Sequence, residues 1–332
     1  MRSPTIQISA LLNLSLHRPE RHCIGGAGQK DSSWFQWLNG AGQAEPLLSE
    51  PAPYQFVRLS LDGSRLATVV PDGPNSILWI YDWQRGAKTR ITSGSGVNNY
   101  PVWSPDGQHV VFHSDGGMYS TRADGAGKPQ PLTQSKLLQY PGSFSLDGKR
   151  LVFSEANAGF GASLRTVTLE SRDGHLQASE PELFLNLRSV NAYPTFSPDG
   201  RWLAYASPES GIYEVYVRAY PDKGSQWQVS TNGGTMPVWS RNGRELFYRT
   251  EDQRIMVTNY VVKRDSFVAE KPRVWSAKPL ANLGLTPNFD LAPDGKRFAV
   301  VMPAESPEPR EARNHVTLAL NFFDEVRRRA SQ

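Results

Sequence analysis

Residues 100–112 read YPVWSPDGQHVVF, and residues 193–205 write nearly the same phrase again, YPTFSPDGRWLAY. Four further variants follow the same grammar: VRLSLDGSRLATV from Val57, GSFSLDGKRLVFS from Gly142, PVWSRNGRELFYR from Pro237 and FDLAPDGKRFAVV from Phe289. Their glycines, Gly63, Gly107, Gly148, Gly200, Gly243 and Gly295, lie 41 to 52 residues apart. That is the length of one four-stranded propeller blade, with an occasional long loop. Ser-Pro-Asp-Gly is a tight-turn sentence. Proline presets φ, Asp tolerates the bridge region, and Gly takes the φ > 0 position that strains other residues. Short β runs flank each turn. Trp103, Phe144, Phe196 and Trp239 share a register before it, and Phe112, Phe153, Tyr205 and Tyr248 share one after it. Large rings at a blade-length interval suit the wedge-shaped gaps between neighbouring sheets.

The pattern predicts an all-β fold: a six-bladed β-propeller of four-stranded antiparallel blades. Outer strands are expected at residues 77–83 and 88–92, 117–122 and 129–133, and 213–220 and 227–230. Residues 32–332 read as a single propeller domain and residues 1–31 as a disordered leader. Propellers close by pairing their two ends. The candidates to complete the last blade are residues 34–48 and the apolar run at 315–323, and residues 321–329 read as a short amphipathic C-terminal helix.

Composition narrows the function classes. Thirty-six basic and 32 acidic residues leave a net charge of +4 in a chain of 332 residues, with no Lys/Arg run of the kind that grips phosphate backbones, so no nucleic-acid partner is expected. Cys23 is the sole cysteine, which removes intrachain disulfides and thiolate metal sites. The apolar run Ile6–Leu16 is interrupted by Ser9, Asn13 and Ser15 and is a poor signal peptide. No stretch approaches the ~20 apolar residues of a membrane span. A monomer is expected.

Chemistry has few places to reside. Asp62, Asp106, Asp147, Asp199 and Asp294 look like a set of carboxylates, but each sits in its own turn, and Asn242 replaces the acid in the fifth unit without disturbing the phrase. His109 and His113 point to the same side of one strand about 13 Å apart, too far to share an ion directly. The residues just before each innermost strand are the stronger lead, because loops at a channel mouth present function on a rigid scaffold. Counted back from the turn glycines these are Tyr54, Asn98, Gln139, Asn191, Gly234 and Thr286, followed by Asn99, Tyr100, Tyr140, Tyr193 and Asn288. Two readings are open: a ligand mouth of amides and tyrosines, or residues that merely lead into strands, since Tyr-Pro is an extended dipeptide.

The six units resemble the TolB-type, WD40-like (PD40) propeller repeat, whose signature is P-x-W-S-P-D-G followed by an apolar strand. The layout is similar to propeller domains of bacterial Ser/Thr kinases of eukaryotic type, through Trp37–Leu47, Tyr216–Arg218 and Trp227–Ser230. The resemblance implies a non-catalytic binding or sensor module that takes a protein, peptide or small ligand at the channel face, in a bacterial extracytoplasmic setting. Kinase and peptidase activity do not carry over, because the chain has neither a glycine-rich loop with Asp-Phe-Gly nor a G-x-S-x-G elbow. It is also compatible with being part of a larger receptor. The alternative is a Ca²⁺-dependent propeller lactonase. It would have Asn98, Asn191 and Asn288 as neutral ligands, Asp290 as the nearest acid, and His109, His113 or Asp290 as the catalytic candidates. A hard cation wants more than one carboxylate, and this ring offers only Asp290.

Overall fold

A computed structural model describes residues 33–93, 96–115, 117–156, 161–188, 192–264 and 266–303. They form six antiparallel sheets arranged as a six-bladed propeller. The first blade runs from its innermost strand Gln55–Leu59 outward through Arg65–Asp72, Asn75–Asp82 and Ala87–Arg90. The second repeats the order with Asn99–Trp103, His109–Ser114, Gly117–Arg122 and Gln130–Pro131. Innermost strands of the remaining blades are Gln139–Phe144, Thr195–Phe196, Thr235–Trp239 and Phe289–Leu291. The long 52-residue spacings have a plain cause. In the third and fifth blades the third strand overshoots and folds into an extra hairpin, Ala162–Arg172 with His175–Ala178 and Ile255–Lys263 with Ser266–Ala269.

Closure is made by the N-terminal side. Ser33–Asn39 pairs along its whole length with Arg297–Pro303, and Ala44–Pro46 adds the outer edge, so the sixth blade has its four strands. Residues 315–323 and 321–329 lie outside the described residues, as does the 1–31 leader. No helix of the described residues is long and apolar enough to cross a membrane.

Each turn works as its wording implies. The serine hydroxyl donates to the Asp carboxylate at 2.5–2.6 Å in four blades, and to Asn242 at 2.9 Å in the fifth. The same side-chain oxygen accepts the backbone N–H two residues on. These carboxylates are consumed in holding turns. Between blades, the predicted rings interdigitate: Ala67, Val69 and Leu78 of the first blade share one core cluster with Trp103, Val110 and Phe112 of the second.

Two devices knit the innermost strands into a ring. The Trp103 indole donates to the Arg58 carbonyl at 2.9 Å and that of Trp239 to the Thr195 carbonyl at 3.2 Å, each reaching back one blade. The backbone N–H groups of Phe196 and Leu59 donate, at 2.8 Å, to the side chains of Ser143 and Asp290 in the preceding blade around the ring. Gly142 is required by close approach: a Cβ there would stand 2.3 Å from the Pro194 carbonyl oxygen.

Candidate functional site

A cavity of about 440 Å³ occupies the propeller axis and draws lining residues from all six blades. Its composition follows from one register. The residue five before each turn glycine, two before the turn serine in most units, is Arg58, Val102, Ser143, Thr195, Val238 or Asp290, and all six line the cavity. Strand alternation puts that position on the axis, while the next residue, aromatic in four units, packs between blades and also borders the cavity in those four.

The walls differ by side. Blades two, three and four contribute Val102, Ser143 and Thr195 with Tyr100, Tyr140, Tyr193, Phe144 and Phe196. Blades five, six and one contribute the charges Arg241, Asp290 and Arg58. Asp290 is deep in the molecule but keeps part of its surface on the cavity. Its carboxylate accepts the N–H of Leu59 at 2.8 Å and that of Leu291 at 3.0 Å. Burial raises its pKa, and the field of Arg58, those hydrogen bonds and Arg241 oppose the rise. Burial lowers the Arg58 and Arg241 pKa values, with Asp290 opposing in both cases. Neither guanidinium closes an ion pair with Asp290 among the described residues.

The tyrosines cluster at the strand-start end. Tyr100 packs on Phe56 and Tyr140, with ring centroids 4.7 Å away in each case, and Tyr140 lies 5.2 Å from the His113 ring. Burial raises the phenol pKa of Tyr100, Tyr140 and Tyr193. Phe56, Tyr100, Tyr193 and Met236 share one position in their blades, and all four take left-handed φ of 46° to 58°. Bulky residues rarely adopt that conformation, and such strain concentrates at functional sites. Here it accompanies a break in strand register at Phe56, Tyr100 and Met236.

The other residues singled out from sequence lie off this cavity. Asn98 is buried and donates to the Ser76 carbonyl at 2.8 Å while accepting from Ser114. Asn99 accepts from Ser76, and Gln139 accepts from Thr133 and donates to Glu155. Asn288 is fully buried between Arg249 and the Ala281 carbonyl. Tyr54 stacks on Phe35 at 4.4 Å in an inter-blade core. Asn191 is outside the described residues. Thus Tyr100, Tyr140, Tyr193 and Asp290 are the sequence candidates that the cavity brings together. Arg58, Arg241, Ser143 and Thr195 went unnoticed. Their signal was available: the parity of the innermost strand, and an arginine in the fifth turn where other units carry Pro or Leu.

His109 donates its Nε2–H to the Gly174 carbonyl at 2.9 Å, and His113 its Nδ1–H to the Gln139 carbonyl at 2.9 Å, beside the Tyr140 ring. No group of three or more His, Cys, Asp or Glu able to hold a metal occurs among the described residues. The calcium set inferred from sequence does not fit. Asn98 and Asn288 have their amides engaged, and two guanidiniums face Asp290, where they would repel a cation.

His113 supplies a pH prediction. Burial pushes its imidazole below the ordinary value of 6.5, against the Gln139 contact and the field of Asp115. The neutral form is favoured in the fold, so its stabilising share is complete above the unfolded value and is lost as pH falls from there through the folded one. A His113→Gln variant is expected to flatten the acid limb of a urea-melt stability profile below about pH 6.5. An unchanged limb would assign it to other groups.

Comparison with known proteins finds similarity to TolB-type propellers in sequence and in structure. No family model matches the chain. It is 29% identical over 185 residues to a TolB homologue of Chlorobium chlorochromatii, covering 53% of this chain and 39% of that one. It is 25% identical over 202 residues to the uncharacterised peptidase YuxL of Bacillus subtilis, covering 47% and 30%. The matched stretches thus span less than half the length of these relatives. Among solved structures, a TolB-type protein of Agrobacterium tumefaciens superposes with a TM-score of 0.58 at 17% identity, over 84% of this chain and all of that one. TolB of Acinetobacter baumannii gives 0.53 at 19%, over 83% and 64%. A 6-phosphogluconolactonase-type protein of Bacteroides uniformis gives 0.52 at 16%, over 81% and 88%. At these identities the superpositions show the fold alone.

Proposed function

We propose that this TolB-like propeller is a binding module that takes a segment of a protein or peptide, or a small molecule, into its central channel. The observation that carries the reading is the 440 Å³ cavity on the axis, walled by all six blades with aromatic and apolar side chains and a few convergent polar groups. That is the composition of ligand sites in general. A TolB-like chain also suggests protein partners, and the strained tyrosine-bearing strand starts give the cavity a rim of rigid aromatic anchors.

The lactonase alternative has less behind it. Catalysis of that kind needs a polarising cation or its equivalent beside an activated nucleophile. Asp290 is the one acid among the cavity's lining residues, and its oxygens already accept backbone N–H groups. A panel of acyl lactones, assayed with and without EDTA, is expected to give no turnover. EDTA-sensitive turnover would replace the binding reading with an enzymatic one.

Blocking the channel tests the binding reading directly. Thr195→Trp places an indole on the axis at a position that faces open space. Peptides selected from a random library against the native chain are expected to lose at least tenfold in affinity for the variant, about 1.4 kcal/mol. Equal binding to both would move the site off the channel.

A further inference from the structure

The fifth blade breaks the repeat in a way that its own fold does not need. The turn that reads Ser-Pro-Asp-Gly at Ser104 and Ser197 reads Ser-Arg-Asn-Gly at Ser240. Asn242 does the work of the aspartate, holding Ser240 and the Arg244 N–H at 2.9 Å each. Arg241 does none of that work. Its side chain leaves the turn and donates to the carbonyl of Leu61, 180 residues away on the first blade, crossing the end of the sixth. There it joins Arg58, the lone cation of the axial ring, and both act on Asp290.

The charges do not balance within this wall. Two guanidiniums face one carboxylate, and both oxygens of that carboxylate already accept backbone N–H groups. Arg58 uses one guanidinium nitrogen on the Val57 carbonyl and Arg241 one on that of Leu61. Both arginines line the cavity, and a guanidinium carries five N–H donors, so one hydrogen bond apiece leaves each fork capacity for a ligand. With Asp290 ionised, the three groups carry a net single positive charge on a largely apolar cavity, with Arg58 half-buried and Arg241 exposed. Opposite stand Tyr100, Tyr140, Phe144 and Phe196.

We propose that Arg58 and Arg241 form a receptor for one carboxylate carried on an apolar, aromatic body, the body lying against the tyrosine and phenylalanine wall. A monoanion neutralises the site. A dianionic phosphate overshoots it and meets Asp290. Guanidinium forks match a carboxylate's two oxygens, so the recognition is directional as well as electrostatic. The carboxylate can belong to a peptide's free C-terminus or to a small aromatic acid. This rests on the channel being the binding site, and deepens that reading by naming the ligand's chemistry.

The test compares acid with amide. The probes are 3-phenylpropanoate and its amide, the peptide acetyl-Ala-Leu-Phe with a free or an amidated C-terminus, and inorganic phosphate. Binding is followed by fluorescence of Trp103 and Trp239, which line the cavity, and by calorimetry. At least one acid is expected to bind about tenfold or more tighter than its amide. The pair that shows the preference, small acid or peptide, identifies the source. Arg241→Pro restores the repeat's own turn residue, so loss of the fold does not confound it. It is expected to reduce the acid-to-amide ratio severalfold, and adding Arg58→Gln to bring the ratio to about one while amide binding persists. Equal binding of acid and amide, blocked by Thr195→Trp, would overturn the carboxylate receptor and leave the channel reading standing. So would a preference that survives both substitutions, or phosphate binding as tightly as the acids. Absence of binding by every probe to the folded native chain would count against both.

Discussion

Deleting residues 33–48 is expected to abolish cooperative unfolding altogether. Those residues supply both outer strands of the sixth blade, and Ser33–Asn39 pairs residue for residue with Arg297–Pro303. Without them the strand bearing Phe298, Val300 and Val301, all fully buried, becomes an unprotected edge. Phe35 and Leu38 are also fully buried, one against Tyr54 and Val57 of the first blade, the other against Phe247 and Phe298. Core side chains of these types are worth about 3–5 and 2–5 kcal/mol when truncated. A domain holds only about 5–15 kcal/mol in all. The ring therefore has no reserve with which to lose its clasp. In urea, monitored by circular dichroism and fluorescence together, the deleted chain should drift without a sigmoidal transition. A synthetic peptide of residues 33–48 should restore one. A cooperative melt of ordinary slope in the deleted chain alone would show that the ring closes by some other pairing.

The fold was legible because its signal is local and repeated. A turn that needs a left-handed residue, an acid to accept two hydrogen bonds, and rings at fixed offsets leaves the same letters six times, and Asn242 shows which property the turn selects. Closure was half legible: residues 34–48 were recognisable as a partner for the last blade, yet nothing in them announces that they provide two strands rather than one. The site was harder. Asn98, Gln139 and Asn288 are polar and sit near strand starts, which is also where buried amides are needed to satisfy the backbone as it leaves one blade for the next. Sequence cannot separate an amide that faces a ligand from one that faces Ser76 or Arg249. The axial ring was readable in principle, from parity alone, but its members are as ordinary as Val102 and Thr195. Only their placement by six separate strands makes them a wall. Tyr100, Tyr140 and Tyr193, singled out as amphipathic rings at strand starts, lie on the cavity, although the left-handed backbone of Tyr100 and Tyr193 was not foreseeable.

Trp239→Ala is expected to destabilise the propeller by about 3–5 kcal/mol, and Trp103→Ala by a similar amount. Trp239 is 6% exposed and meets Tyr260 and Phe267 edge-on, with ring centroids 5.1 and 5.9 Å apart, so its loss opens a void among aromatic rings that cannot collapse into it. Trp103 packs differently, with the Arg65 guanidinium 4.8 Å from its ring centroid and that side chain hydrogen-bonded to the Gly107 carbonyl. Each indole also carries one inter-blade hydrogen bond, and phenylalanine substitution separates the two contributions. Trp239→Phe keeps most of the ring and strands the Thr195 carbonyl, which should cost about 1–3 kcal/mol in addition to the small volume change. Urea melts at constant slope would measure both. Losses below about 1 kcal/mol for the alanine variants would mean that these rings do not bear the inter-blade packing. A large loss for alanine with none for phenylalanine would assign the stability to packing and leave the indole bond as an orienting contact. That second result matters for the channel. The Trp239 bond ends on Thr195 and the Trp103 bond on Arg58, so the same contacts that join neighbouring blades also fix two members of the axial ring.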